Sequence, residues 1–225
     1  MDIITIILIV VTCTILGLGF FVIHTSREKL NRLYFLNIIT IIGWAITMIY
    51  YRLSSDISIL FWTKALYVAA SMIASNFLYF TYAFPKTTYS ISNKKKFWIF
   101  LPNIILIFFI VNGDWIITGA KVNTVGENFI YWGSVYPVYV AYILFYFNFA
   151  FYRLINKFRR TEDHIEKIQL GYVLAGYMSS GLVSFTTNLI LPSFGYFALN
   201  WIGQVSTLLM AVSAGFAIVK HRFFN

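Results

Sequence analysis

Charge is scarce in this 225-residue sequence. Only 11% of the residues are Asp, Glu, Lys or Arg, against roughly 25% in a soluble domain, while 60% are hydrophobic. No soluble fold of this length hides so much apolar surface, so that class is excluded. Carboxylates are scarcer still: there are eight, and all lie at the edges of apolar runs. A pair of intramembrane carboxylates for aspartyl-protease or proton-relay chemistry is therefore missing. Cysteine occurs once, as Cys13 within the first run, which leaves no intrachain disulfide and no cysteine zinc site. The three histidines, His24, His164 and His221, have no partner at metal-ligand spacing. No catalytic residue, metal site or cofactor is implied.

What is abundant is length without charge. A spanning helix needs about 20 apolar residues, and seven runs qualify, near 3–24, 33–51, 57–84, 97–113, 132–155, 168–191 and 198–219. The runs do not alternate, so they read as helices, which satisfy their own backbone in lipid. The fold class expected is an all-α membrane protein, a single seven-helix bundle over 1–225. The first run starts with Asp2 and no basic residue, unlike a secretory signal, and reads as a retained helix.

The basic residues set the orientation. Arg27, Lys29 and Arg32 follow the first run, Lys86 and Lys94–Lys96 the third, Arg153, Lys157, Arg159, Arg160 and Lys167 the fifth, and Lys220 and Arg222 the seventh. That places fourteen of seventeen on one side, which the positive-inside rule makes cytoplasmic, with the N-terminus outside and the C-terminus inside. The net charge of +9 is thus explained by topology, not by nucleic-acid binding. The longest outer connection, "NGDWIITGAKVNTVGENFIYWG", has β-type residues on both sides of "NTVG" and predicts a short hairpin over the outer mouth of the bundle.

Two constellations stand out inside the runs. Gly176, Ser180, Ser184 and Asn188 recur every fourth residue on helix six, and Gly203, Thr207, Ala211 and Gly215 do so on helix seven. Small residues at this interval let helix backbones approach closely, so the two helices are expected to pack on each other along a smooth seam. Lys220, His221 and Arg222 would fix the depth of helix seven and form its output end. On helix three, Lys64, Tyr67, Ser71, Ser75 and Tyr82 share a face. The run from 57 to 84 is about 42 Å long, so Lys64 can snorkel at the outer edge. The alternative is that Lys64, Tyr67 and Ser71, with Asn188, Asn200 and Gln204, line an outward pocket whose ammonium selects anionic or carbonyl-bearing ligands.

The second half carries a further pattern. Trp132-Gly133 opens helix five, Lys167 and Gln169 open helix six, Asn188 and Pro192 close it, and "AIVKHRFF" (217–224) follows helix seven, with Phe84-Pro85 after helix three. In order and spacing these resemble the N-terminal seven-transmembrane region of bacterial histidine kinases. The resemblance implies a signal-input domain in the bacterial inner membrane that is not itself an enzyme. It implies a small-molecule signal and a cytoplasmic kinase or other output domain, in cis or in trans. Homodimer formation is compatible with it. The competing reading is a small seven-helix transporter. Against it stand the missing Pro-Gln motifs of sugar transporters and the lack of an internal repeat.

Overall fold

The computed structural model describes residues 2–25, 29–86, 91–123 and 128–220, the last without the Lys220 side chain. His221 and Arg222 lie outside the described residues, as does most of the "NTVG" turn. The described residues form seven long helices and one hairpin: α1 (Ile3–Thr25), α2 (Lys29–Leu53), α3 (Ile59–Ala83), α4 (Asn93–Val111), β1 (Ile117–Lys121), β2 (Phe129–Trp132), α5 (Tyr136–Arg160), α6 (His164–Phe185) and α7 (Asn200–Lys220). By length and apolarity alone, α1, α2, α5 and α7 are each able to cross a membrane.

Local chemistry sets the element ends. Helix α4 begins at Asn93, earlier than its apolar run, because the Ser92 hydroxyl accepts the Lys95 amide at 3.3 Å. That side-chain oxygen satisfies one of the four N–H groups left over at a helix start. Asp163 caps α6 in the same way, accepting from Ile165 and Glu166. Helix five was expected from 132, but Trp132 belongs to β2, where it pairs with Ile117. The helix starts only at Tyr136, with Pro137 in its first turn, where a missing N–H does no harm.

The helices form a ring in chain order, α1–α2–α3–α5–α6–α7 and back to α1, with α4 packed outside against α3. Helix α1 buries Thr5, Leu8, Thr12, Ile15, Gly19 and Val22. Their spacing alternates three and four, a single coiled-coil-like stripe, and the rest of its apolar surface faces outward. Helix α3 is enclosed by α2, α4 and α5; Phe77, Phe80 and Ala83 have no exposed surface.

The end of α6 is irregular. Thr186–Ile190 form a π-turn, closed by the Leu191 N–H donating to the Thr186 carbonyl, and one last turn follows over Leu191–Ser193. Pro192 supplies the cause. It has no N–H for the carbonyl four residues back, and its ring crowds that carbonyl. A wider turn relieves both problems. Tyr196 N then bonds to Leu191 O at 3.0 Å and Gly195 N to Pro192 O at 2.8 Å. Gly195, at φ +82°, closes this Schellman stop in a conformation glycine adopts without steric penalty.

Candidate ligand cavity and helix seam

Two polar-bonded units face each other inside the ring. In the first, side chains of α5 and α4 donate to or bond α3. Tyr139 Oη donates to Tyr67 O at 3.4 Å, Tyr142 Oη to Ser71 O at 3.3 Å, and Asn103 Nδ2 to Ser71 Oγ at 2.9 Å. At the other end of α5, the Lys157 ammonium donates to Thr81 O at 2.8 Å, to Tyr82 O at 3.3 Å and to Phe84 O. A cation thereby caps the negative C-terminal end of α3, while Arg153 stacks on the Tyr82 ring.

In the second unit α6 is bonded to α7. Ser180 and Ser206 hydroxyls lie 3.1 Å apart, Ser184 Oγ donates to Gly203 O at 3.2 Å, and Gln169 Nε2 donates to Ala217 O at 2.8 Å. A Cβ on Gly176 would overlap Ser213 and stand 2.7 Å from Leu209 O; one on Gly203 would overlap the Asn188 amide. The backbones therefore approach closely at both glycines. The remaining members of the α7 stripe turn elsewhere. Ala211 O accepts the Tyr34 hydroxyl of α2 at 2.8 Å. A Cβ on Gly215 would meet Tyr34 and Val22. Thr207 faces a cavity. The reason is phase: twelve residues at 100° each leave Gly215 about 120° around the helix from Gly203. Ser206, outside the four-residue stripe, takes the α6-facing position instead.

Between the units the contacts are rings. Tyr177 of α6 stacks on Phe77 of α3 at 4.2 Å, and Phe185 meets Phe147 of α5 edge-on at 5.1 Å. Toward the hairpin this seam opens into a cavity with about 80 Å³ of free space. Its walls include Trp44, Tyr67, Phe147, Phe185, Phe197 and Met210, and its polar groups come from Ser184, Asn188, Asn200 and Thr207. The hairpin is its cover. Ile130 of β2 reaches the lining, Phe129 and Trp132 pack on Phe197, and Trp132 Nε1 donates to Tyr67 Oη at 2.9 Å.

Of the six residues expected to form a pocket, the cavity gathers Tyr67, Asn188 and Asn200. Lys64 is elsewhere: its ammonium donates to Gly113 O at 2.8 Å, with Asp114 4.0 Å away. Ser71 is fully buried among α4 and α5. Gln204 is buried within its own helix, its amide reaching the Asn200 and Trp201 carbonyls. The polar face of α3 does not converge because α2, α4 and α5 pack on that helix, and Lys64, Tyr67 and Ser71 bond to Gly113, Trp132 and Asn103 in turn. An ammonium-lined pocket for anions is thus replaced by an uncharged lining.

Away from the hairpin, Lys86 joins the two units. Its ammonium pairs with Glu166 and lies 3.5 Å from Asp163, both at the start of α6. The Glu166 hydrogen bond holds the Lys86 ammonium above its usual value. The Glu166 amide N–H, donating to Asp163, holds that carboxyl below the usual carboxylate range.

An uncharged cavity on a seam between two bonded helix units suits an input device. The sequence comparison agrees: residues 6–225 match the family described as the N-terminal 7TM region of histidine kinase. The chain belongs to this family. Among curated proteins none matches it. As a member of the histidine-kinase 7TM family the chain is a membrane helical bundle, and the family is a sensor region rather than a catalytic one. Sequence reasoning missed Trp44, Phe147 and Phe197 as cavity walls, since apolar residues in apolar runs carry no mark of their own. Asn188 and Pro192 were marked by the family resemblance as the close of helix six, but the π-turn between Thr186 and Ile190 was not expected.

Proposed function

We propose that this chain is the signal-input domain of a bacterial histidine kinase in the cytoplasmic membrane. All seven helices span, with the hairpin outside and the basic connections inside. An occupant of the hairpin-end cavity biases the α6–α7 unit against the α3–α5 unit, and α7 carries the displacement to a cytoplasmic kinase in cis. The observation that supports this most directly is the position of the cavity on a ring-contact seam whose two sides are each held together by hydrogen bonds. A shift along that seam breaks few polar contacts, while the cytoplasmic Lys86 pairs, exposed and therefore weak, would be remade. A ligand moves such an equilibrium only by binding its two arrangements unequally, and a cavity that borders both units meets that condition.

The test is a helical phase experiment in the full-length protein. One to four residues inserted after Asn225 rotate the output by 100° each. Autophosphorylation is expected to vary non-monotonically, with partial recovery near four. A flat series refutes α7 as a rigid output. Orientation is checked separately: a cysteine at Ser92 is expected to react only from the cytoplasm, and one at Val122 only from outside.

A further inference from the structure

We propose that the cavity binds an uncharged amphiphile: a ring-sized apolar body with one hydrogen-bonding hydroxyl or carbonyl, held by the Asn188 and Asn200 amides. This rests on the sensor reading above and names the chemistry of its ligand. Charge is excluded by the walls. Among the described residues no Lys, Arg, Asp or Glu lines the cavity, Lys64 is tied to Gly113, and Arg153 and Lys157 serve the far end of α3. An ion buried here would lack a counter-charge, and that desolvation is prohibitive.

The polar demand is small and local. Asn188 stands in the π-turn, with its amide donating to Thr187 Oγ1 at 3.0 Å and lying against the bare backbone of Gly203. Asn200 is one turn before Gly203 and also faces the cavity. An amide both donates and accepts, so the pair matches a hydroxyl or a carbonyl equally well. The opposite wall is aromatic and aliphatic, suited to the body of the molecule.

Size gives the ligand its leverage. The free space of about 80 Å³ is roughly half of the ~150 Å³ that takes up a benzene ring. A ring-sized body therefore enters only as the walls part, and apart from Trp44 of α2, Ile130 of the hairpin and the link residue Phe197 those walls belong to the two units. Such a ligand binds the opened arrangement better than the resting one.

The experiment uses the full chain in lipid nanodiscs and 4-fluorobenzyl alcohol as probe, observed by ¹⁹F NMR, with non-saturable partition into lipid subtracted. Saturable binding is expected. The charged analogues 4-fluorobenzoate and 4-fluorobenzylammonium should bind at least about tenfold more weakly. Ala70→Phe, which fills the cavity, should abolish saturable binding. Phe197→Ala, which enlarges it, should tighten binding several-fold. Asn188→Leu should weaken the alcohol but not fluorobenzene. Charged analogues binding as well as the alcohol overturn the proposal. So does an affinity unchanged by both Ala70→Phe and Phe197→Ala, and the second variant decides if the first does not fold. Selective binding with no change in autophosphorylation of the full-length kinase leaves the ligand class standing and refutes the sensor reading. Autophosphorylation responding to the charged analogues alone does the reverse.

Discussion

Substituting Gly176 by alanine tests the close approach of α6 and α7 with a single methyl group. The added Cβ would stand 2.7 Å from the Leu209 carbonyl oxygen, where ordinary contact begins at 3.4 Å. The Ser213 hydroxyl, which it also overlaps, can rotate away; the Ser213 Cβ, 2.4 Å off, and the carbonyl are fixed to the backbone and cannot. The two helices must therefore separate by about 1 Å at this level, by difference between 3.4 and 2.4 Å. Overpacking of this kind costs about 1–3 kcal/mol. Alanine also favours the helix by about 1 kcal/mol over glycine, so a reference is needed. Gly43 of α2 supplies it, because a Cβ there meets nothing within 4 Å. Gly43→Ala carries the same propensity gain without the collision. Gly176→Ala is expected to be less stable than Gly43→Ala by about 1–3 kcal/mol, read from SDS titrations in bicelles followed by tryptophan fluorescence. Equal stability of the two variants would refute the close approach, and with it the tight α6–α7 unit.

Lys157→Met leaves three carbonyls, two in the last turn of α3 and one just after it, without their cation. It should lower stability by about 1.5–3 kcal/mol in the same titration, the range for hydrogen bonds to a charged group. Trp132→Phe keeps the ring stacked on Tyr136 but removes the bond to Tyr67. The expected loss is about 1 kcal/mol, with faster hydrogen exchange confined to the hairpin; unchanged exchange would sink its role as a cover. At the hairpin end, Asp2 accepts from the Thr5 hydroxyl and pairs with Arg52 at 2.5 Å, and its carboxyl is lowered to about 2, chiefly by the Thr5 hydrogen bond. A depressed folded-state value means stability that is fully present above about pH 4 and is lost as pH falls toward 2. Asp2→Asn should flatten that stretch of the stability profile, and an unaltered slope would remove Asp2 from the account. Pro192→Ala restores an N–H for the carbonyl of residue 188, so the π-turn should close into α-helix. Amide exchange over residues 186–191 measures it.

How much of this was legible depends on the residue. The helical bundle was, because charge is absent from long stretches and lipid leaves the backbone few choices. The hairpin was legible from β-type residues around a turn signal. The cap residues Ser92 and Asp163 follow rules that act over three residues, and Gly176, Ser180 and Ser184 share a face by simple periodicity. What periodicity could not provide was the partner of each face. Lys64 and Ser71 lie on one stripe of α3, yet one reaches Gly113 and the other is enclosed by Asn103 and Tyr142. Thr207, Ala211 and Gly215 likewise read as one surface with Gly203, but a four-residue interval drifts around a 3.6-residue helix. The cavity was illegible for a different reason: it is an absence of atoms between ordinary side chains, fixed only when the helices are in place.

The π-turn at Thr186–Ile190 acts on α6 as a dislocation acts on a lattice. One surplus residue is held in the turn, so the screw before it and the screw after it are out of phase. The long part of α6 keeps time with α7 through Ser180 and Ser184, and the link that follows the short end keeps time with the hairpin through Phe197. Neither has to compromise for the other. A dislocation can also glide: moving the surplus by one residue re-indexes Asn188 relative to the cavity while the clamped portion stays in step. The end of the helix that faces the cavity thereby has its own gear.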